Sequence, residues 1–194
     1  MKSLLLASIS TPLPLPAQDI LWTNFKTSNP AALSSNGGRT VRRTSTTNSW
    51  CHASANTYTR STSGKYYFEI LVEDGIGNAG HALGVAPVNT TVTSGNAGTS
   101  GRIQYHGNGK TRRNGAYSTY GDSYTTGDVI GLGYDFDLRT LRAYKNGVDQ
   151  GIMYSGGAIP LSAMVPYWSA YYSVCESTFV NNIEFLPPGY SVWN

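Results

Sequence analysis

Residues 127–151, GDVIGLGYDFDLRTLRAYKNGVDQG, alternate apolar and polar side chains through successive runs broken by two turn signals. A period of two belongs to pleated strands, where neighbouring side chains point to opposite faces. Ile130, Leu132, Tyr134 and Phe136 fall on one side, and Leu141 and Ala143 return along it. Asp137 opens the turn DLRT, since a carboxylate at the first turn position accepts from backbone donors further on. Asn146-Gly147 supplies the two positive φ angles of a type I′ hairpin turn. A slip of one residue would turn the whole apolar set outward, so the turn acts as register control in a sheet with a buried face.

The same reading extends along the chain. KYYFEILVED puts Tyr66, Phe68, Ile70 and Val72 on one face and Tyr67, Glu69 and Leu71 on the other. GHALGVAP is a short buried strand with glycine where backbones crowd. GRTVRRTST alternates small and basic residues, as an edge strand does. Residues 87–127 read mostly as loop, with short strands at GRIQYH and GAYSTY. The last strands are MVPYWSAYYS and STFVNNIEFLPPGY. No window carries the i, i+3, i+4, i+7 stripe of a helix. Gly, Ser, Thr and Asn make up 77 of the 194 residues, which favours turns and caps over helix interiors. Short strands with turns at intervals of about ten residues predict an all-β, two-sheet sandwich.

TPLPLPAQ, residues 11–18, lacks amide donors at Pro12, Pro14 and Pro16 and reads as extended, polyproline-like chain. Residues 1–20 are expected to form an arm outside a single domain of residues 21–194, fastening it into a homo-oligomer or larger assembly. Residues 1–60 carry six Lys or Arg against Asp19 alone, and residues 61–194 carry a net −2. No aromatic residues interleave with the basic start, so it reads as a solvated arm and no nucleic acid is expected. The apolar run Leu4–Ile9 is short for a secretion signal of ~7–15 residues, and no run approaches the ~18 apolar residues of a membrane span. Cys51 and Cys175 fit no zinc spacing and are expected as free, buried thiols.

Catalytic constellations are hard to assemble. Asp135 with Asp137, and Glu69 with Glu73, could pair as carboxylates, but the first two flank a turn and are expected to cap backbone donors. His52, His81 and His106 are scattered and show no metal spacing. No glycine pattern precedes a helix to hold phosphate. No catalytic residue, metal or cofactor is expected. Aromatics are the richer signal. Tyr105, Tyr117, Tyr120, Tyr124, Trp168, Tyr171 and Tyr172 gather in the loop-rich half, and Tyr and Trp suit binding surfaces. Phe68, Tyr134, Phe136 and Trp168 are expected in the core and Tyr172 on a binding face.

The runs GKYYFEI, LGVAP, YGDSYTTGDVIGLGYDFDLRTLRAYKNGVDQG, VPYWSAYYSVCES and PPGYS resemble a SPRY domain over roughly Trp22 to Asn194. The resemblance implies a bent antiparallel β-sandwich of lectin-like architecture that binds proteins or peptides through loops at one end and is not a catalyst. It places Tyr172 of SAYYSVCE at a ligand-contacting aromatic position. It also implies contact loops near residues 87–101 and 106–115, the second offering Arg112, Arg113 and Asn114. Tyr105, Tyr117 and Tyr171 complete the candidate ligand-binding set, with Asp137, Asn146 and Gly147 as structural turn residues. The composition, the LSSNGGRTVRRTS strand and the PPGYS ending resemble stand-alone SPRY modules of bacteriophage structural proteins. That implies a virion component of tail, baseplate or head decoration, assembled in the host cytoplasm. Residues 1–20 would bind other virion proteins, and the loops a host surface protein or glycan. A purely structural decoration subunit and a glycan-binding, lectin-like module are the alternatives.

Overall fold

A computed structural model describes residues 20–25, 32–44, 49–55, 63–75, 80–88, 101–158, 162–171 and 174–193. The arm expected at residues 1–20 lies outside these, apart from Ile20. The described strands are β1 (Trp22–Phe25), β2 (Ala32–Ser35), β3 (Thr40–Arg43), β4 (Trp50–Ala55), β5 (Lys65–Asp74), β6 (His81–Pro87), β7 (Ile103–His106) and β8 (Lys110–Arg113). They continue as β9 (Ala116–Thr119), β10 (Val129–Asp135), β11 (Thr140–Lys145), β12 (Val148–Ser155), β13 (Met164–Tyr171), β14 (Cys175–Phe179) and β15 (Ser191–Val192). Short 3-10 turns at Asn36–Gly38 and Gly156–Ala158 are the described helical segments.

The strands form two sheets. The front sheet runs β1-β4-β13-β6-β7-β8-β9, and the back sheet runs β12-β11-β10-β5-β14-β3-β2. Pairing is antiparallel throughout except that β15 lies parallel to β5. The core fills the space between the sheets. Phe68, Leu132 and Ala143 sit side by side on β5, β10 and β11 and are fully buried. Trp168 and Leu83 answer them from the front sheet. Trp22 of the front sheet stacks on Phe179 of the back sheet at 4.2 Å and 21°. Cys51 and Cys175 are buried free thiols in this core, as expected.

The hairpin of β11 and β12 turns where the sequence indicates. Lys145 pairs with Val148, and Asn146 and Gly147 take φ of 50° and 78°. The Val129 amide donates to Asn146 Oδ1 at 2.8 Å, and Asn146 Nδ2 donates to Asp128 Oδ1 at 2.8 Å. The turn is thereby keyed to the start of β10. The β10–β11 turn differs in detail from its sequence reading. Asp135, still in the strand, accepts the Leu138 amide at 2.9 Å and pairs with Lys65 at 3.1 Å. Asp137 lies inside the turn instead of opening it and accepts the Gly64 amide at 3.1 Å.

Three further expectations are adjusted. The strand of GRTVRRTST is not an edge, because β3 has β14 on one side and β2 on the other. Residues 110–113, read as loop, form β8. The strand begun at Cys175 stops at Phe179, and the chain from residue 180 instead crosses the outer face of β5 before β15 pairs with that strand and Trp193 enters the core. There the Glu69 carboxylate, 1% exposed, accepts the amides of Glu184 at 2.9 Å and Phe185 at 2.8 Å and the Tyr67 hydroxyl at 3.0 Å. Gly131 faces this strap from β10. A Cβ there would lie 1.9 Å from the Tyr67 hydroxyl oxygen, so only glycine leaves room for that ring.

His81 begins β6 with its ring in the core. Its Nε2 accepts from the Trp168 indole N–H at 3.2 Å and lies 3.0 Å from Ser177 Oγ. Burial first, and the nearby His106 second, lower its pKa to about 3. The unfolded chain therefore binds a proton below its ordinary value of 6.5 that the folded chain refuses. Stability from the neutral ring is complete above that value and is lost as pH falls toward the folded one. Roughly 2 kcal/mol should disappear between pH 7.5 and pH 5, at about 1.4 kcal/mol per pH unit. Denaturant titrations at the two pH values check this, and His81→Gln should flatten the profile. A wild-type profile already flat would show that the folded ring takes up its proton as readily as the unfolded one.

Candidate binding face

The front sheet has an outer face unlike a solvated one. Along β4, small core residues Cys51, Ala53 and Ala55 alternate with Trp50, His52 and Ser54. On β13, Trp168 and Ala170 point to the core and Tyr167, Ser169 and Tyr171 to the other side. On β7, Ile103 and Tyr105 point inward and Gln104 and His106 outward. Between these flanks runs β6, which offers only Ala82, Gly84 and Ala86 to this face.

A strand of small residues between strands of large ones makes a trough. Side chains from the two flanks meet across it. Gln104 Nε2 donates to Ser169 Oγ at 2.6 Å, over β6. The rings of Trp50 and His106 meet edge to face at 6.4 Å. The Tyr167 hydroxyl is hydrogen-bonded to His52 Nδ1. Burial pushes the Tyr167 phenol well above its ordinary range, so it keeps its proton for that bond. The floor of the trough is thus packed, and Tyr167, His52 and His106 are fully buried.

The rim is a row of rings enclosing one guanidinium. Tyr171 stacks on Trp50 at 4.8 Å and 21°. The Arg112 guanidinium lies 5.7 Å from the Trp50 ring centre and 5.0 Å from that of Tyr117. His106 also meets Tyr117, at 5.1 Å. Trp50 and Tyr171 are half-buried and Tyr117 is 43% exposed, so this row reaches solvent while Arg112 shows only an edge. Stacked guanidinium and aromatic groups are mutually stabilising, by about 0.5–2 kcal/mol per contact. They also present a rigid apolar surface with a positive point within it.

Charge is segregated between the sheets. No front-sheet strand contains Asp or Glu, and Arg102, Lys110, Arg112 and Arg113 lie in or beside β7 and β8. The ion pairs Arg42–Glu176, Lys65–Asp135, Arg142–Asp149 and Lys145–Asp128 all belong to the back sheet and its turns. Among the described residues no three His, Cys, Asp or Glu side chains gather as a metal site.

Of the candidate ligand-binding residues, the structure brings Arg112, Tyr117 and Tyr171 together on this face. Arg113 is half-buried, pairs with Ile103 and alternates to the opposite side of β8 from Arg112. Asn114 and Gly115 take φ of 50° and 83° and form the two-residue turn between β8 and β9. Tyr105 is fully buried in the core, with its hydroxyl on the Asp122 carbonyl. Tyr120 and Tyr124 serve the same end of the core. Their hydroxyls donate to the carbonyls of Gly151 at 2.6 Å and Tyr105 at 2.9 Å. Tyr172 and residues 89–100 of the first contact loop lie outside the described residues. Sequence reading passed over Trp50, Gln104 and Tyr167, and weighed the His52 and His106 side chains only as metal ligands. The alternation in SWCHASA and GRIQYH was the signal that could have found most of them.

The family profile described as SPRY domain matches residues 65–182. Among solved structures, the SPRY domain of human HERC1 is similar at 22% identity and a TM-score of 0.65, covering 79% of this chain and 94% of that one. A human SPRY domain is similar at 21% identity and a TM-score of 0.66, covering 84% and 99%. The TRIM65 PSpry domain is similar at 14% identity and a TM-score of 0.61, covering 85% and 91%. No curated protein matches the chain in sequence.

Proposed function

The chain belongs to the SPRY domain family, and on that premise we propose that it is a non-catalytic protein-binding module of a bacteriophage virion. SPRY domains are generally protein-interaction modules. The observation that carries the reading here is the row Tyr171, Trp50, Arg112 and Tyr117, aromatic and arginine side chains held rigid at the edge of the front sheet. Side chains of these types carry a large share of binding energy at interfaces, because they bury much area at little entropic cost. The virion setting is supported by the Gly/Ser/Thr/Asn-rich composition and by the proline-punctuated residues 1–20, which would fasten the module to neighbouring virion proteins. The face would then contact a host surface protein or another virion protein.

Cross-linking and hydrogen exchange on purified particles test both parts. The chain should co-purify with particles, and residues 50, 112, 117 and 171 should be protected by a partner. With that partner in hand, the double change Trp50→Ala with Tyr117→Ala should weaken binding by about 2 kcal/mol or more, roughly thirtyfold, with the domain still folded. A chain missing from particles defeats the virion setting. A face that stays open in every complex, or binding unmoved by the double change, defeats the assignment of the surface.

A further inference from the structure

Asparagine followed by glycine cyclises more readily than other asparagine pairs, because glycine has no Cβ to shield its amide nitrogen from the preceding side chain. The chain carries four such pairs, at Asn36, Asn108, Asn114 and Asn146. We infer that the fold makes Asn114-Gly115, at the tip of the β8–β9 hairpin, the site of a spontaneous modification to aspartate and isoaspartate. The Gly115 nitrogen gives up its proton and bonds to Asn114 Cγ, and Nδ2 takes a proton and leaves as ammonia. Water then opens the succinimide ring. Breaking the new N–Cγ bond gives aspartate. Breaking the bond from that nitrogen to the backbone carbonyl carbon gives isoaspartate, whose chain runs through the side chain. One water is consumed, one ammonia is released and one negative charge is gained.

Ring closure requires the side chain and the turn backbone to rotate toward each other, so any bond that holds either one slows it. Asn114 and Asn146 both open two-residue turns and both take φ of 50°, so turn geometry does not separate them. Hydrogen bonding does. The Asn146 amide is held at both atoms, by the Val129 N–H at 2.8 Å and by Asp128 at 2.8 Å, and Phe185 sits against Gly147. At Asn108 the attacking nitrogen is engaged, since the Gly109 amide donates to the His106 carbonyl at 2.9 Å. The Lys110 amide also donates to Asn108 Oδ1 at 3.3 Å, and Gly109 is buried. Asn36 is exposed and its side chain accepts from Arg39 Nη2 at 3.3 Å, so it ranks second. Asn114 and Gly115 are both exposed, and among the described residues no hydrogen bond holds the Asn114 side chain or the Gly115 amide. The strand that follows them is an edge. All of β9 is exposed and it pairs with β8 alone, so the turn opens at small cost.

The product alters the face proposed above, and this consequence rests on that reading. Neither the front-sheet strands nor the connections from β6 to β9 contain Asp or Glu, so the new carboxylate is the first negative charge in that stretch. Isoaspartate also adds a carbon to the backbone of a two-residue turn, which the Arg113–Ala116 pairing cannot span unchanged. β9 then loosens, and Tyr117 leaves the Arg112 guanidinium.

The test is ageing of the full chain in mildly alkaline buffer, with peptide mapping by mass spectrometry at intervals and a parallel sample in urea. In the folded chain Asn114 should convert ahead of Asn36, and about tenfold or more faster than Asn108 and Asn146, the factor expected from releasing their hydrogen bonds. In urea the four should convert at similar rates. Asn114→Gly tolerates the positive φ and should remove the folded-state product. Separated by charge, the converted protein should exchange the amides of residues 112–119 faster than the starting protein does. Asn114 no faster than the other three in the folded chain, or equally favoured in urea, overturns the inference. Unchanged exchange in the converted protein overturns the consequence for Tyr117 and leaves the modification site standing. Binding unmoved by Trp50→Ala with Tyr117→Ala defeats the face and touches neither the site nor the loosening of β9.

Discussion

Glu69→Ala should destabilise the domain by about 3–5 kcal/mol, the largest loss expected from any single side chain described here. The carboxylate is buried beneath residues 180–193 and accepts two amides and one phenol. Bonds to a charged acceptor are the stronger kind, and a buried amide left without an acceptor costs about 1–3 kcal/mol. Truncation orphans the amides of both Glu184 and Phe185. It also leaves the Tyr67 phenol, which desolvation and the neighbouring Glu69 charge hold protonated, with no acceptor. Glu69→Gln keeps the shape but offers one acceptor where the site needs two, so an intermediate loss is expected. Urea unfolding gives the difference. Hydrogen exchange should show residues 180–193 opening first in both variants. A loss under about 1 kcal/mol for Glu69→Ala would mean that water or a shifted strap satisfies the two amides.

Gly147→Val should cost about 3–4 kcal/mol, more than the turn alone accounts for. A β-branched residue at φ 78° is strained by about 1–3 kcal/mol. Its Cβ would also lie 2.6 Å from Phe185 Cδ1, so the ring and the strap beneath it must shift. Gly127→Val separates the two terms, since Gly127 has φ 87° and no atom within 4 Å of an added Cβ. It should show the strain without the collision. Equal losses at the two positions would show that Phe185 moves freely and that the strap is not wedged against the hairpin.

What the sequence revealed depended on how far apart the interacting residues lie along the chain. The β10–β11–β12 meander was legible because its strands are consecutive and its turn chemistry is local, as with Asn146-Gly147. The same Asn-Gly signal stands at residues 114–115, where its turn meaning competes with a ligand-contact reading of Asn114. The binding face was legible in part. Arg112, Tyr117 and Tyr171 could be named from residue type, but Trp50 joins them only through the pairing of β4 with β13 across more than a hundred residues. Tyr105, Tyr120 and Tyr124 sit in glycine-rich text that suggests exposed loops. Tyr105 and Tyr124 are nonetheless buried and Tyr120 half-buried, because backbone carbonyls at that end of the sandwich accept their hydroxyls. Glu69 looked like the polar side of a half-exposed strand. Only the strap, more than a hundred residues later, makes its charge structural.

The strand order has a consequence for the timing of self-assembly. Within neither sheet do the early strands pair directly with the middle ones. β1 and β4 reach β6 only through β13, and β3 and β2 reach β5 only through β14. The central meanders can pair as they leave the ribosome, while the opening segment waits for partners synthesised last. Contacts of such wide sequence separation carry a large loop-closure cost and form slowly. Until then Trp22 and Val41 have no core to enter, and the unpaired sides of β5 and β6 are open to other chains. A nascent chain stalled before residue 164 would therefore hold two half-sheets, each a template for aggregation, and the completed domain closes in one cooperative step that joins its beginning to its end.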